Sequence, residues 1–447
     1  MSEPPTPAVL RQQPVLPEFP SSPGLWRTPG YRWLWIATLL LGTGYGVTLS
    51  SQASFWDETA FDSTTIAFVG LSNGIGILFG YLLAGLTADR RPKRSLVRIQ
   101  VLATAGLSAL TAVLALAIGL AGDWFFVLAV LFGVAHGAAF AVMLGWTAEI
   151  LPRRLIAKGV IVVALAGYAQ TLLTVVPGVS VRGEPSAVFW FFAVACLAYL
   201  LTALAVRKVP ALTPVCADTS TIGELRLALR YLWGDVRLRS LCAYALGASA
   251  AMTFAEAAIL HLLWVEHGFR SWDYTLPFIA RGGAYFVSTL ALVFLISSRH
   301  RWLLFVVAAV LLGIAVALLA ASSVVATLTM LMALMGLASP IVLIGYRALG
   351  LSVTRSLFFG RVAALVLFAD SLLDFAAGFL RVHLFDLFDG RIAVLTCGLF
   401  LTLLAFWFWT RWRRFRFLRE DPDDADTDVP RNLLLNAVAP QKTARLD

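Results

Sequence analysis

Charged residues are scarce in this 447-residue chain, at 14% for Asp, Glu, Lys and Arg together, where a soluble domain carries about 25%. A buried core alone does not account for that deficit. The chain has no phosphate-cradling glycine loop, no nucleophile triad and no cluster of metal-ligating side chains; its glycines are spread through apolar runs. Enzymatic activity, direct coupling to ATP, a cofactor and a metal are therefore not expected. The few cysteines, Cys196, Cys216, Cys242 and Cys397, lie far apart and lack metal-ligand spacing. The first 29 residues are proline-rich, show no cleavable signal pattern and read as a disordered cytoplasmic lead.

What is abundant is apolar sequence, at 59% of the chain. It comes in near-continuous runs of about 20 residues, the length that spans a bilayer as a helix. In lipid only helices and closed barrels satisfy their backbone hydrogen bonds, and runs without alternation exclude barrel strands. The net charge of +9 does not point to nucleic acid, because the basic residues gather at the ends of the apolar runs. That is where the positive-inside rule places them.

The densest cluster is Gly85-Leu-Thr-Ala-Asp-Arg-Arg-Pro-Lys-Arg94. It reads as a cytoplasmic hairpin and fixes the orientation of its neighbours. Counting outward gives twelve spans, roughly 31–55, 64–86, 97–120, 124–146, 159–177, 188–206, 238–265, 274–296, 303–321, 324–345, 362–384 and 392–409. Predicted inner loops carry several Lys or Arg, and Arg347, Arg355 and Arg361 are assigned to one of them. Outer turns carry isolated basic residues such as Arg182, Arg270 and Arg391. Residues 209–237 lack a span, and leucines at helical spacing over 221–233 predict an amphipathic helix on the inner surface. The chain thus divides into a lead (1–29), a first six-helix bundle (30–208), a linker (209–237), a second bundle (238–410) and a cytoplasmic tail (411–447). Both termini are expected in the cytoplasm.

Ionisable residues inside spans are costly and are functional candidates by default. These are His136, Glu256, Arg281, Asp370 and Asp374. Asp370 and Asp374 are one helical turn apart and share a face. Two nearby carboxylates titrate as a coupled pair, so they are the first proton-site candidates, with Glu256 and His136 behind them. Similar estimated depth pairs Arg281 with Asp370 or Asp374. A structural ion pair is the plainer alternative.

The 85–94 segment resembles the signature of the major facilitator superfamily between its second and third spans, G-x-x-x-D-R/K-x-G-R-K/R. Gly85, Asp89, Arg90, Lys93 and Arg94 match, while Pro92 stands where glycine is usual and cannot take φ > 0. The resemblance implies an all-α polytopic membrane protein with twelve transmembrane helices in two pseudo-symmetric six-helix bundles, working by alternating access. It also implies a gating role for those five residues. Leu225 to Leu241, Gly360-Arg361-Val362 and Glu149 to Arg154 resemble the superfamily's drug and siderophore exporter branch, which contains the enterobactin exporter. That branch implies proton-coupled export of a small organic or amphipathic solute across a bacterial inner membrane. An importer or facilitator, or a non-transporting sensor, are the alternatives. On spans that border the cavity in this fold, Tyr45, Phe140, Tyr168, Gln170, Phe254 and Phe286 are the pocket candidates. Expected partners are the solute, protons and the lipid bilayer. No homo-oligomer is expected, since one chain supplies both halves.

Overall fold

The computed structural model describes residues 24–56, 63–88, 91–117, 124–152, 154–166, 185–211, 221–263, 272–296, 301–354, 358–384 and 389–410. Every extended element among them is helical. They are α1 (Tyr31–Trp56), α2 (Ser63–Thr87), α3 (Lys93–Ala117), α4 (Trp124–Ile150), α5 (154–166), α6 (Pro185–Val206) and α7 (Thr221–Gly234). They continue with α8 (Val236–His261), α9 (Trp272–Leu295), α10 (Arg301–Leu319), α11 (Val325–Val353), α12 (Phe359–Leu384) and α13 (Gly390–Thr410).

Six stretches among the described residues are long and apolar enough to cross a membrane: Lys93–Ala117, Phe126–Ile150, Phe189–Val206, Leu276–Leu295, Val325–Val353 and Gly390–Thr410. Leu71–Thr87 within α2 and Leu303–Leu319 within α10 are further apolar stretches. α8 and α12 are 26 residues long but carry ionisable residues along their length, and they fall outside that group. The chain is an all-α polytopic membrane protein.

The helices pair in a repeating pattern. α2 packs on α4 as α9 packs on α11; α3 packs on α6 as α10 packs on α13; α1 packs on α6 as α8 packs on α13. Glycines make several of these seams. A Cβ at Gly76 would overlap the Val130 carbonyl, one at Gly133 the Asn73 carbonyl, and one at Gly137 would sit 2.9 Å from the Ile77 carbonyl oxygen. Gly336 is pressed likewise on the Arg281 backbone, and Gly313 on Thr402. Small residues allow backbones to approach where lipid supplies no hydrophobic drive for association.

α12 joins the two sets by packing on both α2 and α4. The approach is tight at the end carrying Arg91–Arg94: a Cβ at Gly145 would lie 2.9 Å from Gly360 Cα, and one at Gly85 would lie 3.3 Å from Ala364 Cβ. α7 buries Ala228 and Leu232 and leaves Arg226 and Arg230 exposed. Leu225 reaches Gly85, and the Tyr231 ring stacks on Phe358 at 4.7 Å. Asp235 then caps α8, its carboxylate accepting from the backbone N–H groups of Arg237 and Leu238.

Candidate functional site

Asp370 lies eleven residues into α12, about 16 Å along the axis, which is near the middle of a bilayer about 30 Å thick. It is buried and forms an ion pair with Arg347 of α11. The Arg347 Nε donates to the Tyr346 hydroxyl at 3.1 Å. One turn further along α12, Asp374 accepts a hydrogen bond from the Thr253 hydroxyl of α8. Asp374 is exposed where Asp370 is buried, so it faces an accessible space beside α8. Arg281 of α9 pairs with Glu256 of α8. Tyr81, from α2 of the other set, reaches the electrostatic range of Arg347 and Asp374 and lies against the Ser371 hydroxyl.

Three carboxylates therefore face two guanidiniums in this group: Glu256, Asp370 and Asp374 against Arg281 and Arg347. The sum is one negative charge. Glu256 engages Arg281 and Asp370 engages Arg347, while Asp374 accepts from the neutral Thr253 hydroxyl and lies within electrostatic reach of Arg347.

The expected pairing of Arg281 with Asp370 or Asp374 is thus corrected. Similar depth along the membrane normal does not fix which way a side chain points, and rotation of α9 brings Arg281 to α8 rather than α12. The assignment of Arg347 to an inner loop is also corrected. α11 continues to Val353, past Pro340 inside the helix. The apolar spacing of Leu343, Ile344, Ala348, Leu349 and Leu351 around Arg347 was the signal for a longer helix.

A second polar group lies among α1, α2 and α4. The His136 ring stacks on Tyr45, with centroids 3.6 Å apart and planes 7° from parallel, and Phe140 follows at 6.1 Å. The Tyr45 hydroxyl donates to Asn73 Oδ1 at 2.7 Å. His136, Tyr45 and Asn73 are all buried. Sequence reading named His136, Tyr45 and Phe140 separately; it missed Asn73, an amide on the face of α2 that carries Gly76 and Gly80.

Phe254 is partly buried on α8. Phe286 lies on α9. It is exposed, on the same face of α9 as exposed Ile279, Leu290 and Phe294, and opposite buried Tyr285 and Leu292. Tyr168 and Gln170 lie outside the described residues.

Of the charged hairpin, Asp89 and Arg90 also lie outside the described residues. Lys93 is buried and pairs with Glu149 at the end of α4, Nζ to Oε1 2.6 Å. Arg94 is partly exposed on the first turn of α3. Pro92 opens that helix: its carbonyl accepts from the N–H groups of Ser95 and Leu96, a place where its own missing N–H costs nothing. A cavity of about 20 Å³ lies on this side of Arg347, lined by Leu144, Leu241, Cys242, Tyr346, Val362 and Leu367 among others.

A family model described as Major Facilitator Superfamily matches residues 34–378. Among solved structures, the human organic anion transporter MFSD10 (TETRAN) matches with a TM-score of 0.71 and 15% identity, over 86% of this chain and 99% of that one. The proton:xylose symporter XylE matches with a TM-score of 0.59 and 17% identity, over 85% and 94%. The E. coli fucose:proton symporter FucP matches with a TM-score of 0.65 and 13% identity, over 84% and 98%. No curated protein matches the sequence. These likenesses establish the fold, and none singles out the drug and siderophore exporter branch.

Proposed function

The chain belongs to the major facilitator superfamily, a family of membrane transporters, and from that premise we propose that it is a proton-coupled secondary-active exporter of a small organic or amphipathic solute. In this reading twelve spans form two six-helix bundles, 30–208 and 238–410, joined by the linker 209–237. Both termini lie on the cytoplasmic side of a bacterial inner membrane. The protein works as a monomer, rocking its halves about the space beside α12.

The observation that carries proton coupling is the odd charge count. A third carboxylate that shares Arg347 with Asp370, in a membrane-embedded cluster, gains from taking up a proton, and the gain changes with its access to water. Asp374 fills that role. Asp370 and Arg347 hold the floor beneath it, and the Glu256–Arg281 pair flanks it. The tight contacts of α12 with Gly85 and Gly145 close the cytoplasmic end, and the charged hairpin steadies that closure through Lys93 and Glu149. The names of two similar structures include proton symport, which supports proton coupling and favours import as the second reading.

The test is solute movement in sealed liposomes under an imposed pH gradient, with a panel of amphipathic organic solutes and chelators. Asp374→Asn should abolish gradient-driven accumulation and retain solute exchange. Proton-driven accumulation by a folded Asp374→Asn protein would refute the proton site. Opposite movement of proton and solute identifies export by exchange; movement together identifies import.

A further inference from the structure

A cleft of about 400 Å³ opens at the start of α1, away from the polar cluster. Its wall includes Trp26, Arg27, Thr28, Arg32, Trp33 and Lys208. Three of these are cations, and among the described residues no carboxylate lines the cleft. Among the described residues no acid pairs with any of the three, and all three are exposed. Lys208 stands just beyond the end of α6 with its Nζ 3.9 Å over the Trp33 ring. The N-terminus of α1 adds the positive end of its dipole, although the Tyr31 N–H already donates to the Thr28 carbonyl and the Leu34 N–H to that of Gly30.

The cleft is built rather than incidental. Gly30 has φ +81 and is pressed against Pro210, so any side chain there would be both strained and blocked. That contact fixes the start of α1 against the segment following α6. Trp26 packs edge-on against Trp35 at 5.4 Å, and Trp35 donates its indole N–H to the Val162 carbonyl. The telling group is Thr28. It is 2% exposed, it lines the cleft, and its hydroxyl has no hydrogen-bond partner. An unsatisfied buried hydroxyl beside three cations calls for an anionic acceptor with several oxygens.

We propose that this cleft binds a phosphate group, and that its occupant is the headgroup of an anionic phospholipid. Arg27, Arg32 and Lys208 would neutralise the phosphodiester and Thr28 would donate to it. Trp26 and Trp33 suit the glycerol region, because indoles favour the membrane–water boundary. The site is independent of the proton-coupled reading, since it touches neither α12 nor α8.

Native mass spectrometry of the detergent-purified full chain tests this. Phosphatidylglycerol, phosphatidylcholine and inorganic phosphate would be titrated separately into wild type, Thr28→Val and Arg32→Gln/Lys208→Gln. One phosphatidylglycerol per chain should be retained in preference to phosphatidylcholine. The double variant should bind it about 25-fold more weakly, at about fivefold per lost cation. Thr28→Val, close in shape to the native residue, should weaken it by about fivefold and serves if the double variant does not fold. Inorganic phosphate binding with the same dependence on Thr28 would support the phosphate site and identify the soluble ion as its occupant. Equal retention of phosphatidylglycerol by wild type and Thr28→Val, or equal retention of the two lipids by wild type, would overturn the proposal.

Discussion

Gly145→Ala places one methyl group where α4 meets α12. Its Cβ would sit 2.9 Å from the Gly360 Cα, whereas carbon atoms rest at about 3.5–4.0 Å. The two helices must part by about 0.6–1.1 Å, and neither neighbouring atom belongs to a side chain that can swing aside. Overpacking of this kind costs about 1–3 kcal/mol. The cost falls on the conformation closed at this end and is absent once α4 and α12 separate. The equilibrium should therefore move about 5- to 150-fold toward the state open on the cytoplasmic side. Cys242 reports it, because its thiol lines the small cavity next to this contact. Its modification by a membrane-permeant maleimide, read by peptide mass spectrometry, should accelerate by the same factor. Gly106→Ala is the control, since a Cβ there meets nothing within 4 Å, and it should leave the rate unchanged. Unaltered Cys242 labelling in a folded Gly145→Ala protein would refute the claim that this contact is a closed gate.

Lys93→Met removes the Nζ–Oε1 contact with Glu149 in a mostly buried pair; it should cost about 1.5–3 kcal/mol, seen as earlier thermal unfolding in detergent, and Lys93→Glu/Glu149→Lys should recover part of the loss. Tyr45→Phe removes the donor to Asn73 Oδ1 and should destabilise by about 1–3 kcal/mol in the same assay. Gly76→Ala drives a methyl into the Val130 carbonyl; it should cost about 3 kcal/mol or more, and a monodisperse protein of wild-type stability would contradict the close α2–α4 seam.

The helices were legible because a bilayer imposes one length and one polarity on every crossing. The spans read as 64–86, 188–206 and 392–409 fall within α2, α6 and α13. The Lys93 position was legible for the same reason, as part of a charged turn. What the sequence left hidden was rotation. Arg281, Glu256, Asp370 and Asp374 were all recognisable as ionisable groups inside apolar runs, yet their partners depend on which way each helix turns its face. Arg347 was hidden by a different ambiguity. An arginine near the end of an apolar run serves equally as a topology signal or as an intramembrane charge, and the helix continuing to Val353 decides for the second.

Glycine in a chain is ordinarily a source of looseness, and between α2 and α4 it has the opposite effect. Gly76, Gly80, Gly133 and Gly137 leave backbone lying directly on backbone, with no rotamers between the two helices to take up a sliding motion. Packed helices shear by letting interposed side chains rearrange, and this seam has few to offer. α2 and α4 must therefore travel together as one stiff beam. Spectroscopic labels placed on that pair would hold a constant separation through the working cycle. The same labels placed on α4 and α12 would report the stroke.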